Sequence, residues 1–140
     1  MKQGRTVLEA KRFGCQCCHP DTPLVEVVTR MVEDDISCLV VTEPDGCLSG
    51  IITRNDVLRG YMASDDWQHL PAGSYMTRDV ITVTPEDTLG TVANLLLDHH
   101  IHRVIVVREE NDKQKPVAVV SDTDLIYHML KEVGSRDLAG

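Results

Sequence analysis

Two short stretches carry residue types at a spacing that could do chemistry. Thr53-Arg54-Asn55-Asp56 and Ser121-Asp122-Thr123-Asp124 each place a hydroxyl three residues before a carboxylate, just after an apolar run. One chemistry is local: Ser/Thr-x-x-Asp before a helix approximates a capping box, in which hydroxyl and acid satisfy the free amides of the first turn. The other is recognition. A helix N-terminus presents N–H groups and a positive dipole end to phosphate, and a carboxylate there can accept from both hydroxyls of a ribose. Both readings use the same atoms. That the arrangement occurs twice favours a binding role.

A second cluster is Cys15-Gln16-Cys17-Cys18-His19. Thiolates and imidazole suit zinc or Cu(I), so Cys15, Cys17, Cys18 and His19 are the metal-ligand candidates. The spacing is too tight for a zinc knuckle. In a strand, Cys15 and Cys17 share a face and Cys18 takes the other, where cysteine acts as a small hydrophobe. Asp98-His99-His100-Ile101-His102 crosses from a helix end into a strand. Side chains diverge there, and histidine at a helix C-terminus complements the dipole.

The elements that would position these residues repeat. Pro20 falls on Pro85, Leu24 on Leu89, Val27 on Val92, Ile36 on Ile101 and Val41 on Val106, a shift of 65 residues. Beyond a longer second-half loop, Asp56 falls on Asp124. In the first half, Leu24, Val27, Val28, Met31 and Val32 recur at helical spacing, with Thr22 as cap and Pro23 at the first helical position. Ile36 to Thr42 and Leu48 to Thr53 read as strands about a Glu43-Pro44-Asp45-Gly46 turn, followed by a helix from Arg54 to Met62. In the second half, Leu89, Val92, Ala93, Leu96 and Leu97 repeat the stripe. Arg103 to Arg108 and Val117 to Ser121 are strands, Asp122 to Val133 is a helix, and Glu109 to Lys115 is a polar loop. The fold class is α+β, with βαββα twice. The expected boundaries are an N-terminal arm at 1–12, motifs at 13–62 and 75–134, a linker at 63–74 with Trp67 covering the seam, and a tail at 135–140.

Composition sets limits. The 140 residues carry 14 basic and 22 acidic side chains, a net charge of −8, with aromatics only 4%. A nucleic-acid binder should show a basic face and stacking rings, so none is expected. Lys2, Arg5, Lys11 and Arg12 against Glu9 make the arm basic, and it reads as a solvated tail. No run approaches the ~18 apolar residues of a membrane span. Five cysteines with no leader sequence before them suggest a cytoplasmic chain with reduced thiols.

Met76-Thr77-Arg78-Asp79-Val80-Ile81-Thr82-Val83-Thr84-Pro85, Ile101-His102-Arg103-Val104-Ile105-Val106-Val107 and Gly50-Ile51-Ile52-Thr53-Arg54-Asn55-Asp56, with its second-half partner, occur in this order. Over residues 13–133 the chain resembles a stand-alone pair of cystathionine-β-synthase (CBS) domains, a Bateman module. The resemblance implies two CBS motifs about a pseudo-two-fold axis, packed sheet to sheet. It implies a regulatory, non-enzymatic module that forms a homodimer, binds AMP, ADP or ATP as a regulatory ligand without a required cofactor, and signals to an effector protein. S-adenosylmethionine and NADH are the rarer ligands.

By the same resemblance, a first crevice combines Ile52, Thr53, Asn55 and Asp56 with Thr77, Val80, Ile81, His102 and Arg103. Asp56 would hold the ribose, Thr53 and Arg103 the phosphate with His102 nearby, and Val80, Ile81 and Ile52 the adenine. A second crevice would combine Ser121, Thr123 and Asp124 with Cys15, Gln16, Ser37 and Cys38. There Ser37-Cys38 stands where His102-Arg103 does in the other, so the phosphate lacks a countercharge and binding should be weaker. The alternatives are a redox or metal sensor built on Cys15, Cys17, Cys18 and Cys38, and a nucleotide-free interaction module.

Overall fold

Runs of β-branched residues bounded by turn-formers become strands here, and each apolar stripe at helical spacing closes over a sheet. The computed structural model describes residues 4–10 and 14–139, with side chains to residue 134. Two three-stranded sheets form: β1 (Cys17–Cys18), β2 (Cys38–Thr42) and β3 (Leu48–Thr53), then β4 (Thr82–Val83), β5 (Arg103–Glu110) and β6 (Lys113–Ser121), with β2 and β5 central. Both two-residue strands run parallel to their neighbours, Cys17 opposite Val40 and Thr82 opposite Ile105. The helices are α1 (Val7–Ala10), α2 (Leu24–Glu33), α3 (Arg54–Ala63), α4 (Leu89–His99) and α5 (Asp122–Ala139), the last broken at Gly134 with φ 74°. The α+β class and the doubled βαββα order are therefore observed.

The chain divides into two compact units. The first comprises Cys15–Val80 with Glu109–Pro116; the second comprises residues up to Gly14, Ile81–Arg108 and the chain from Val117. In the first, Leu24, Val27 and Met31 of α2 close over Leu39, Val41 and Ile52, with Val57, Ala72 and Met76 completing the core. Burying each large apolar side chain contributes about 1.5–3 kcal/mol. Trp67 packs against this core and meets Tyr61 edge to face at 5.8 Å. It thus covers the core of its own unit. Thr22 does not cap α2. Its hydroxyl accepts from the His19 amide at 3.0 Å, and Pro23 stands at the N-cap.

In the second unit Val83, Leu89, Val92, Leu96, Val104, Val106, Ala118 and Val120 form the core. Thr88 caps α4 by accepting from the Thr91 amide at 3.1 Å. His100 ends the helix in the left-handed region at φ 54°, so His99 and His100 serve the helix end.

Two stretches differ from expectation. Residues 109–115 are not a loop: β5 and β6 extend through them and join at Asn111 and Asp112, both at positive φ (53° and 64°). These are the dihedrals a two-residue hairpin turn demands, and Asn and Asp tolerate them. At its tip Lys113 Nζ donates to Asp45 Oδ2 at 2.5 Å, and Lys115 Nζ donates to the Asp45 carbonyl.

The N-terminal stretch is not a solvated tail where it is described; Lys2, Lys11 and Arg12 lie outside the described residues. Val7 is fully buried in the second unit's core. The Val7 amide donates to Asp87 O and the Leu8 amide to Pro85 O, both at 2.9 Å, and Arg5 O accepts from Leu89 N. The same bonds recur 65 residues on: Ala72 donates to Thr22 O, Gly73 to Pro20 O, and Leu70 O accepts from Leu24 N. The repeat therefore begins by residue 5. The expected solvated arm is the counterpart of the expected linker.

Candidate functional site

The Thr53 and Ser121 turns arise because a buried strand ends where its helix must begin. Around Thr53, the backbone amide donates to Asp56 Oδ2 at 2.8 Å and the hydroxyl to the same oxygen at 3.1 Å. The Arg59 guanidinium bonds the other oxygen, Oδ1. Asp56 is 1% exposed, whereas the Arg59 side chain is 63% exposed. The carboxylate thus has both oxygens engaged, one by the fold's own cap and one by a solvent-accessible cation.

Three further candidates belong to the same unit. Thr77 pairs with Ile51 through reciprocal backbone bonds, Ile51 N–H to Thr77 O at 2.9 Å and Thr77 N–H to Ile51 O at 2.8 Å. Asn55 is exposed in the first turn of α3, and Val80 is half-buried. The close approach explains Gly50, where a Cβ would lie 2.5 Å from the Thr77 carbonyl oxygen. Ile52 departs from expectation. Its side chain is fully buried in the core with Leu39 and Val41, because strand alternation turns it toward α2. It offers a ligand no side-chain surface.

The second unit builds the other turn the same way. The Ser121 amide donates to Asp124 Oδ2 at 2.8 Å and the Asp124 amide returns to Ser121 Oγ at 3.2 Å, a full capping box. Thr123 is exposed, and its amide donates to Asp122 Oδ1 at 2.7 Å. His102 joins this turn: Nδ1 lies 3.0 Å from Asp122 Oδ2. That bond holds the Asp122 carboxyl below its ordinary range. Arg103 follows at the start of β5, and Ile81 O accepts from the Ile105 amide at 3.1 Å. The Asp122 amide donates to the His102 carbonyl at 2.9 Å; in the first unit the matching contact is the Arg54 amide to the Ser37 carbonyl at 3.3 Å, and Cys38 stands opposite Thr53 in the sheet. Each repeat's dipeptide therefore lies at that repeat's own turn, Ser37-Cys38 with Thr53 and His102-Arg103 with Ser121. The sequence pattern alone did not reveal this.

The cysteine stretch opens the first sheet. Cys15 Sγ and Cys17 Sγ lie 3.4 Å apart, both thiols half-buried, while Cys18 is 4% exposed on the opposite face. Arg30 spans the segment, donating from Nη1 to Cys17 O and from Nη2 to Gln16 Oε1, each at 2.6 Å. The hydrogen bond from Cys15, with Arg30 and His19 nearby, brings the Cys17 thiol down to about 7. Cys15 is pushed up, chiefly by that same bond, and burial pushes Cys18 up to about 11. Among the described residues no three His, Cys, Asp or Glu side chains converge to hold a metal. Cys18 faces away from Cys17, and His19 Nδ1 is engaged by Thr42 O at 2.9 Å. The expected metal candidates Cys15, Cys17, Cys18 and His19 do not form a ligand set.

Two turns of one design, carried on repeated βαββα motifs, define a paired module. The CBS domain family model matches residues 14–63 and 72–131, and the chain belongs to that family. The uncharacterised protein MJ1404 of Methanocaldococcus jannaschii is 29% identical over 119 residues; these cover 85% of this chain and 28% of that protein. The chain thus spans little over a quarter of that relative's length. Among solved structures, the CBS domain of a CBS domain-containing membrane protein from Sphaerobacter thermophilus is 29% identical with a TM-score of 0.78, covering 90% of this chain and 88% of that one. Two ligand complexes share the fold. The CBS pair of MJ0100 with 5′-methylthioadenosine and S-adenosylmethionine has a TM-score of 0.79 at 22% identity, over 91% and 97% of the two chains. CBSX2 with AMP has 0.78 at 20%, over 91% and 98%. No helix among the described residues is long and apolar enough to cross a membrane.

Proposed function

We propose that the chain is a regulatory sensor of adenine nucleotides, with the Thr53–Asp56 turn as its principal site. The supporting observation is the divided carboxylate of Asp56. Oδ2 is committed to Thr53, whereas Oδ1 is held by an exposed arginine that can swing into solvent. Ribose hydroxyls can replace Arg59 at Oδ1 without dismantling the cap. Asn55, Thr77 and Val80 belong to the same unit and would contact the remainder of the nucleoside. Ile81, His102 and Arg103, which the family resemblance assigns to base and phosphate, belong to the other unit. Arginine suits phosphate because its planar donors bond two oxygens. The AMP and S-adenosylmethionine complexes of the two fold relatives support this ligand class.

The Ser121–Asp124 turn is the weaker site, because its family partner dipeptide is the uncharged Ser37-Cys38. The module senses rather than converts its ligand. Binding biases its conformation by the difference in affinity for two arrangements, and a separate effector chain reads that bias. Leu58 and Met62 on α3, with Ile126, Met129 and Leu130 on α5, are each more than half exposed and would be covered in a homodimer. Titration calorimetry with AMP tests the reading. Asp56→Asn should weaken binding at least about tenfold, the weight of a lost charge-assisted bond, and Asp124→Asn should have less effect. Equal losses overturn the asymmetry, and no AMP binding by the unaltered chain overturns the ligand class.

A further inference from the structure

The principal Thr53–Asp56 site uses neither Cys15 nor Cys17, whose thiols lie side by side at the opening of the first sheet. Two residues of extended chain span about 6–7 Å, at the edge of the Cα separation a disulfide bridges. Their sulfurs already lie 3.4 Å apart on one face. Gln16, between them, is fixed from both sides: its carbonyl accepts from the Val40 amide at 2.9 Å and its side chain from Arg30. Arg30 is itself held at Cys17 O, which keeps a permanent cation beside the second thiol.

We propose that Cys15 and Cys17 form a thiol–disulfide exchange site whose substrate is a low-molecular-weight disulfide of the glutathione type. Cys17 is the attacking thiolate. Its sulfur displaces one half of the small disulfide as a thiolate, forming a mixed disulfide at Cys17. Cys15 then loses its proton to solvent and attacks Cys17 Sγ, expelling the second small thiolate. Two electrons pass from the protein's two thiols to the small disulfide, and a Cys15–Cys17 bridge remains.

The two sulfurs divide the work in a consistent way. The Cys15 bond, Arg30 and His19 bring Cys17 down, which favours its thiolate over that of Cys15. Cys15 holds its proton mainly because it faces that anion. Once Cys17 is capped the anion is gone, and the chief restraint on Cys15 ionisation goes with it. Cys18, buried on the opposite face, and Cys47, whose thiol is pushed up by its bond to Asp45, serve as internal controls.

The intact protein is incubated with oxidised glutathione, the remaining thiols are alkylated, and the digest is read by mass spectrometry. The amide spectrum is followed alongside. The expected product is an intrachain Cys15–Cys17 bridge with Cys18 and Cys47 alkylated and the Val40 amide shifted, since its acceptor lies inside the new ring. Cys15→Ser should stop at glutathione on residue 17. This arm reads Cys17 in a chain that retains it, and so stands even if Cys17→Ser fails to fold. Cys17→Ser should slow the first addition at least about tenfold, and Arg30→Gln should slow it several-fold. Glutathione landing first on Cys38 or Cys47, a bridge between two chains, or unchanged kinetics in Cys17→Ser overturns the proposal. None of these outcomes bears on AMP binding at the Thr53–Asp56 site.

Discussion

His102 Nδ1 lies 3.0 Å from Asp122 Oδ2, and the Asp122 amide donates to the His102 carbonyl at 2.9 Å. Two residues twenty apart are thereby tied, the entry to β5 against the first turn of α5. The consequence is a measurable titration. The Asp122 carboxyl is held below its reference of 3.8, with the His102 bond as the first cause and the Thr123 amide as a second donor. A depressed carboxyl stabilises the fold above its unfolded value, and that contribution is lost as pH falls through the folded value. Carbon-detected NMR should place the Asp122 midpoint below 3.8, and His102→Ala should move it upward. The pair is exposed, so the melting temperature should change little near neutral pH.

Asp56 closes the first turn and is nearly inaccessible, so its removal acts on stability as well as on the proposed binding. Asp56→Ala removes the acceptor of the Thr53 amide and strands Arg59. The cost should be about 1–2 kcal/mol, the range of a lost helix cap, read from urea unfolding. Asp56→Asn keeps an acceptor and should cost less. If Asp56→Ala unfolds at the same urea concentration as the unaltered chain, the cap is not contributing.

Gly50 faces the Thr77 carbonyl so closely that any Cβ must displace backbone. Gly50→Ala should destabilise by about 1–3 kcal/mol through overpacking. It should also weaken the reciprocal Ile51–Thr77 bonds, seen as faster hydrogen exchange at both amides. Exchange that rises elsewhere but not at Ile51 and Thr77 would contradict this assignment of the strain.

Val7 is fully buried although it lies in what reads as a basic tail. Val7→Ala removes two methyl groups from the second unit's core and should cost about 2 kcal/mol, measured by thermal unfolding. Leu8→Ala, at a half-exposed neighbour, offers a comparison on the same stretch. A Val7→Ala chain as stable as the unaltered one would mean that the N-terminal contact does not persist in solution.

Much of this was legible in the residues. Leu48 to Thr53 and the start of α5 at Asp122 were read at their observed bounds, because a β-branched run ends at a Ser/Thr-x-x-Asp turn in both places. Gly134 ends the helical run after Val133, the last residue expected in it. What was missed has physical reasons. The hairpin at Asn111 and Asp112 looked like a loop because turn residues at positive φ are polar, as loop residues are. The motif alone points Ile52 at a ligand, but period-two alternation sends alternate side chains into the core. The role of residues 5–8 was hidden by composition, since four bases suggested solvent. Extending the 65-residue shift backward from Leu70-Pro71-Ala72-Gly73 to Arg5-Thr6-Val7-Leu8 was the available signal. How Cys15 and Cys17 face each other, and which turn receives His102, depend on side-chain placement that spacing does not encode.

The backward extension of the repeat has a genealogical consequence. The chain passes between its two units four times, after residues 14, 80, 108 and 116. The opening residues of the first repeat complete the second unit, and the opening residues of the second repeat complete the first. A cut near Ser64 would leave two fragments, each holding a segment the other's unit requires, so a nicked chain should migrate as one particle. For the same reason neither repeat can be lost, duplicated or transplanted by itself. The smallest portable piece of this protein is the pair.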